Sequence, residues 1–321
     1  MELQEQLEEL QARGLGVAAI SYDDEAVLSE FAELRGITFP LLADDDSSVI
    51  AEFGILNTLA YEALNVIGPS QGDRDAAELD PDYEEDLRTY VTVTRGVDFH
   101  VGTAHPGTFI LDSRGRITSR YFEDFYRERN TVANILLKRG EGLTPIAAVE
   151  GSTAHLNFRA YPSNPYVQPG SRITLALDVE PGENMHVYAP GAEERGYRVI
   201  SLNLRPVPDV RFEPVEYPES EIYHFEPLDE LVPVYIRPFT VFQDVVVSAT
   251  DEAEQALAQL DALTLAGTFD YQACDDAFCY NPVSIPISFT LDLRLLDRSG
   301  PMESSPLRER MRRGRANADS N

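Results

Sequence analysis

Tryptophan is absent from this chain of 321 residues. That weighs against a sugar-binding platform, which stacks its ligand on broad aromatic faces. Cysteine occurs twice, at 274 and 279, so the first 273 residues contain no thiol. The thiolate is the nucleophile in thiol chemistry, so no attack on peroxide can start from that region. The five histidines (100, 105, 155, 186 and 224) are scattered, none at ligand spacing from the cysteines. A zinc site takes four ligands, which makes metal binding the weakest use of these groups; no metal or other cofactor is expected. Basic residues are few: 26 Lys and Arg stand against 55 Asp and Glu, for a net charge of −29. Such a surface repels nucleic acid and anionic lipid headgroups. Apolar runs are short. None approaches the ~20 residues that span a bilayer, so membrane insertion is not expected. The amino end, Met1 to Gln6, lacks the basic region and apolar core of a signal peptide.

What is present is enough for packed cores. Hydrophobic residues make up 43% of the chain and include 15 Phe and 15 Tyr. The length gives room for two domains, at roughly 100–200 residues each.

The first part alternates helix and buried-strand patterns. Leu3, Leu7 and Leu10 have helical spacing. Val17–Tyr22 reads as a short strand. A helix capped by Asp23 or Asp24 follows, carries Val27, Leu28, Phe31 and Leu34, and ends at Gly36. Ile37–Leu42 is a second strand, and a short helix covers about 47–53. This order predicts an α/β layer with a parallel sheet. Residues 57–104 break the pattern with an acidic insertion, including Asp80 to Asp86. A hairpin is expected over 108–121, turning at Ser113–Arg116, and a helix over about 130–139 closes the unit at 142.

After a glycine-marked linker the period changes to two. Ile173, Leu175, Leu177 and Val179 alternate; so do Ile200, Leu202 and Leu204, and so do Val283, Ile285, Ile287, Phe289, Leu291 and Leu293. These runs predict an antiparallel sandwich over 150–295. The rest, 296–321, reads as a disordered basic tail with Arg308, Arg310, Arg312, Arg313 and Arg315.

The cysteines sit between two strand-like runs, in Ala273-Cys274-Asp275-Asp276-Ala277-Phe278-Cys279-Tyr280. Three uses are open to them: a redox-active pair, a structural staple or part of a metal site. Closing so short a loop restricts the unfolded chain by only about 2 kcal/mol, so a staple would better join distant segments. The charges of Asp275 and Asp276 disfavour a thiolate beside them.

Leu7 to Tyr22, Phe39-Pro40-Leu41-Leu42-Ala43-Asp44, Phe53-Gly54-Ile55 and His105-Pro106-Gly107-Thr108-Phe109-Ile110-Leu111-Asp112 resemble the alkyl hydroperoxide reductase/thiol-specific antioxidant branch of the thioredoxin superfamily. The resemblance implies an α/β thioredoxin-like domain over 1–142, with the family's first strand and redox motif missing, and makes Pro106 a candidate cis-proline. It also implies that Met1 is an internal methionine, with a strand and a Cys or selenocysteine motif encoded upstream. In-frame translation of the upstream DNA that yields no such motif rejects this.

Asn184 to Pro190, Tyr217 to Tyr223 with Pro233 to Ile236, and Leu263 to Pro282 resemble the amino-terminal (alpha) domain of the thiol:disulfide interchange protein DsbD. The resemblance implies an all-β immunoglobulin-like sandwich, an extracytoplasmic or periplasmic location and thioredoxin-like redox partner proteins, the chain's own first domain among the possibilities. Cys279 would be the sulfur attacked and Cys274 the resolving one. Glu216 or Tyr217 would form a cap over the pair, with His186, Tyr188 and Phe278 beside it. The expected activity is thiol–disulfide exchange through Cys274 and Cys279. The competing expectation is a non-enzymatic binding or scaffold module, with a redox-dead first domain and a structural disulfide.

Overall fold

The computed structural model describes residues 2–57, 102–122, 127–141, 145, 147–226 and 229–295. The acidic insertion expected over 57–104 falls almost wholly outside the described residues, as does the tail expected over 296–321. The described chain is mostly β with few helices. It divides into two compact units between Thr108 and Phe109.

In the first unit the expected amino-terminal helix is two short pieces, α1 (Glu2–Glu5) and α2 (Leu7–Ala12). Leu7 and Leu10 are buried, whereas Leu3 is exposed. Strands β1 (Ala19–Ser21) and β2 (Leu41–Ala43) pair in parallel, with Ile20 opposite Leu42. Between them runs α3 (Glu25–Arg35), the only long helix among the described residues of this unit. Its ends follow from capping chemistry. The Asp24 carboxylate accepts the Val27 N–H, and Gly36 takes the left-handed conformation that closes the last turn. Asp44 caps α4 (Ser48–Glu52) by accepting the N–H groups of Val49 and Ile50.

At the boundary, β3 (Gly107–Leu111) and β4 (Ile117–Phe122) form the expected hairpin. Asp112 anchors its turn by accepting the N–H groups of Arg114 and Arg116. No peptide bond among the described residues is cis. The His105–Pro106 bond is therefore trans, contrary to the cis-proline expected there. Pro106 precedes β3 in the trans form, which X–Pro bonds favour by about 0.5–1 kcal/mol.

Strands β5 (Arg129–Asn130), β6 (Val149–Ser152), β7 (Leu156–Pro162), β9 (Ser171–Pro181), β12 (Val210–Glu216) and β15 (Phe239–Val247) make a six-stranded sheet. A four-stranded sheet combines β8 (Tyr166–Val167), β11 (Ser201–Leu204), β16 (Ala262–Tyr271) and β18 (Val283–Leu293). The two sheets contribute to one core. Ile173, Leu175, Leu177 and Val179 of β9 are buried in it, with Leu265 and Phe269 of β16 and Ile287, Phe289 and Leu291 of β18. Each such side chain contributes about 1.5–3 kcal/mol of transfer free energy when fully buried. Gly267 lets β11 cross close to β16, since a Cβ there would collide with the Asn203 carbonyl and the Leu204 backbone.

The helix expected to close the α/β unit, α5 (Val132–Lys138), belongs instead to this β unit. Leu137 packs on Tyr161 and Ala176 of the six-stranded sheet. A buried polar network holds it there. The Asp244 carboxylate, 2% exposed, accepts from Thr174 Oγ1 at 2.7 Å, Asn134 Nδ2 at 3.3 Å and Lys138 Nζ at 2.7 Å. Helical periodicity marks an apolar face but not the sheet that covers it.

A third, small sheet carries the chemistry. Its order is β13 (Glu221–Phe225), β14 (Glu230–Tyr235), β10 (His186–Tyr188) and β17 (Ala273–Cys274). Gln272 separates β16 from β17, so the chain leaves one sheet and enters another just before Cys274.

Candidate functional site: a disulfide under a tyrosine cluster

Cys274 and Cys279 form a disulfide, with Cα atoms 4.1 Å apart, and also make an antiparallel bridge with each other. The loop between them is ordered by its own first residue. The Asp275 carboxylate accepts the N–H groups of Ala277 at 2.8 Å and Phe278 at 2.7 Å, and the Tyr280 hydroxyl at 2.7 Å. These N–H bonds first, with the Tyr280 hydroxyl, hold its pKa below the usual carboxylate value. The Asp275 N–H donates to the Phe278 carbonyl, and the Tyr280 N–H donates back to Ala273. Gln272 Nε2 donates to the Tyr280 carbonyl at 3.0 Å.

The two cysteines differ in access. Cys274 is 0% exposed and packs in a cluster with Tyr188, Ala192, Val232 and Val234. Cys279 is exposed, and so is Phe278 beside it, at 68%.

Tyr188, fully buried on β10, places its hydroxyl 2.9 Å from Cys274 Sγ and 3.3 Å from Cys279 Sγ. A disulfide sulfur has no hydrogen, so the tyrosine donates. Burial, then the neighbouring Tyr197, Glu230 and Tyr223, raises the Tyr188 pKa, which keeps the hydroxyl protonated at neutral pH. The Tyr197 ring stacks on Tyr188 with centroids 4.1 Å apart, and its hydroxyl donates to Glu230 at 2.7 Å.

His186 stands directly opposite Cys274 in the β10–β17 register. It is 2% exposed, and its Nε2 has no hydrogen-bond partner among the described residues. Tyr188 meets its ring edge-on at 5.7 Å, and Tyr223 of β13 lies over it at 4.5 Å. Burial lowers the His186 pKa, against the pull of Asp276 and Asp275, so the ring is neutral at neutral pH. Tyr223 also donates its hydroxyl to Asp276 at 2.7 Å. That bond to a carboxylate, with burial second, pushes the Tyr223 pKa up to about 12.

The fold therefore gathers Cys274, Cys279, His186, Tyr188, Asp275, Asp276 and Phe278. It does not bring Glu216 or Tyr217 to the sulfurs. Glu216 pairs with Lys138 at 3.0 Å, and Tyr217 donates its hydroxyl to the Ile200 carbonyl while packing on the core of the two large sheets. The aromatic residue packed on the cysteine cluster from the flanking hairpin is Tyr223. Tyr197, Tyr223, Tyr280 and Gln272 are the site residues that sequence reasoning missed. Tyr280 and Gln272 flank the cysteine segment, and position alone could have found them. Tyr197 is brought in only by tertiary packing. Pro106 lies in another compact unit than the cysteines. Among the described residues no group of His, Cys, Asp and Glu could hold a metal ion, and no helix is long and apolar enough to cross a membrane.

Residues 1–120 match the model of the AhpC/TSA family. Among solved structures, the chain is similar to the N-terminal periplasmic domain of ScsB from Proteus mirabilis, at 16% identity and a TM-score of 0.30, over 46% of this chain and 52% of that one. The chain thus spans about half the length of that relative. It is also similar to the reduced N-terminal domain of DsbD from Neisseria meningitidis, at 13% identity and a TM-score of 0.24, over 37% and 77% of the two chains. A further neighbour is the GAE domain of yeast GGA1, at 7% identity and a TM-score of 0.25, over 44% and 97%. None of the curated proteins matches the chain. The AhpC/TSA match and the cysteine pair together point, at a coarse level, to thiol–disulfide chemistry.

Proposed function

We propose that the protein is a thiol–disulfide oxidoreductase that exchanges disulfides through Cys274 and Cys279 and is attacked at Cys279. The observation that carries this reading is the asymmetry of the pair. One cysteine is exposed, while the other is buried beneath a hydroxyl donor. Exchange needs a thiolate lined up on an accessible sulfur and a leaving sulfur that tolerates negative charge. A partner thiolate bonds to Cys279 Sγ, the Cys274–Cys279 bond breaks, and its electron pair leaves on Cys274 Sγ. There the Tyr188 hydroxyl stabilises the departing charge. A second partner thiolate then attacks the mixed disulfide and releases Cys279. The partner loses two electrons and the chain gains them; the reverse sequence passes them on.

The β unit suits an immunoglobulin-like sandwich over 150–295, reached through β5 and α5. The AhpC/TSA match suits a thioredoxin-like first domain. A thioredoxin-like protein is the fitting partner class, and a periplasmic setting agrees with a disulfide that must persist.

The test is a glutathione titration of the full chain, with trapping by Cys274→Ser. A relay pair should have a potential less negative than about −300 mV, and the variant should accumulate a mixed disulfide on Cys279. A potential below that limit with nothing trapped would identify a structural staple and a binding module instead.

A further inference from the structure

The oxidised site contains a buried ring nitrogen that makes no hydrogen bond. His186 Nε2 has no partner among the described residues, although its residue is 2% exposed and directly opposite Cys274. Leaving such an atom unsatisfied is destabilising, because it has given up its bond to water for nothing in return. Residues opposite each other in an antiparallel pair have Cβ atoms about 4.5–5.5 Å apart on one face of the sheet. His186 and Cys274, whose sulfur leaves when the disulfide opens, are therefore cross-strand neighbours on one face of the sheet. In the disulfide that sulfur carries no proton and no charge. Reduction changes both.

We propose that His186 and Cys274 form a thiolate–imidazolium pair in the reduced protein, His186 holding the proton that would otherwise sit on the sulfur. The inference rests on the exchange reading above and assigns the proton within it. Reduction by a partner dithiol delivers two electrons and two protons. One proton goes to Cys279 as it is released, and the other goes to the His186 ring rather than to Cys274.

The surroundings favour this arrangement. The groups facing His186 are Tyr188 on its own strand, Tyr223 from β13, Cys274 from β17, and Asp275 and Asp276 from the loop. A lone thiolate would be opposed by the two carboxylates, whereas an imidazolium beside it is favoured by them. Tyr188 adds a hydroxyl donor to the same sulfur. In the oxidised protein there is no thiolate to pair with, and burial keeps the ring neutral. The imidazole thus changes charge with the redox state of its neighbour. Within the reduced protein, the pairing lowers the pKa of the buried thiol and readies it to attack a mixed disulfide on Cys279 at neutral pH.

The test uses the full chain in both redox states. Thiolate ultraviolet absorbance is followed against pH, and the His186 ring is followed by its NMR shifts. The expected result is a thiolate signal already present at neutral pH in the reduced protein, with His186 protonated there and neutral in the oxidised protein. His186→Phe should raise the thiolate midpoint by about two pH units, a loss of thiolate at neutral pH of at least about 10-fold. His186→Asn, which keeps a polar side chain without the charge, should show the same shift and guards against misfolding of the larger replacement. If the variants titrate like the parent, or His186 is neutral in both redox states, the pair does not exist. Trapping by Cys274→Ser is read separately. A trapped complex without the titration signature removes only the pair; the signature without a trapped complex removes the exchange reading.

Discussion

Tyr188 shows how one hydroxyl can serve a site without touching a substrate. Its O–H reaches both sulfurs, and its ring is wholly buried. Tyr188→Phe removes the donor and nothing else of size. A hydrogen bond to a charged acceptor contributes about 1.5–3 kcal/mol, so exchange should slow by about tenfold or more. Stopped-flow reduction by dithiothreitol measures this; an unchanged rate would show that the hydroxyl does not meet the leaving charge. At this scale much of the site was legible. The cysteines, His186, Tyr188 and the loop residues were named from spacing and resemblance. Glu216 and Tyr217 were misplaced because they stand only a few residues before Tyr223. A family pattern blurs a shift of that size, whereas strand register does not: Tyr223 points inward because Ile222 and His224 on either side point out.

Among the elements, the loop from Asp275 to Phe278 is held by its own carboxylate. The Asp275 pKa is lowered in the fold, chiefly by backbone N–H bonds and the Tyr280 hydroxyl. A depressed carboxylate pKa stabilises the loop above the unfolded value of 3.8 and stops doing so as pH falls through the lower folded value. Loop order should therefore be constant from neutral pH down to mild acid and lost only in strong acid. Amide hydrogen exchange at Ala277 and Phe278 reads this; protection that fades at mildly acidic pH would contradict it. The α5 clamp makes a second prediction at this scale. Asp244→Ala takes the buried acceptor from Thr174 Oγ1 and the buried carboxylate from Lys138, which keeps only the exposed Glu216. With Lys138 partly solvated, the expected loss is about 2–3 kcal/mol of unfolding free energy. Urea denaturation measures it. Strands were easier to read than this helix. The alternation from Val283 to Leu293 coincides with β18, because period-two patterning fixes both the strand and its buried face. The heptapeptide Val132–Lys138 carries its own helix signal, yet its destination depends on Thr174 and Asp244, far along the chain.

For the whole molecule the dominant quantity is the charge of −29. It was legible at once and says nothing of fold, but it governs how the protein responds to salt. Like charges spread over one surface repel, and the compact state gathers them more closely than the unfolded chain does. Screening length falls from about 10 Å at 0.1 M salt to about 3 Å at 1 M, so added sodium chloride removes much of this repulsion. The acidic protein should therefore gain stability with salt, its Tm rising by several degrees between about 0.1 M and about 1 M. Ion pairs act in the opposite direction. Exposed ones such as Arg237–Glu221 weaken with salt, but each contributes little, while the Asp244 network is too buried to be screened strongly. Differential scanning calorimetry at several salt concentrations decides between the two effects. A Tm that falls with salt would mean that attraction within local pairs outweighs the repulsion of the net charge. The same experiment in sodium sulfate separates screening from ion exclusion: both salts should stabilise at low concentration, and only sulfate should continue to do so once screening is complete.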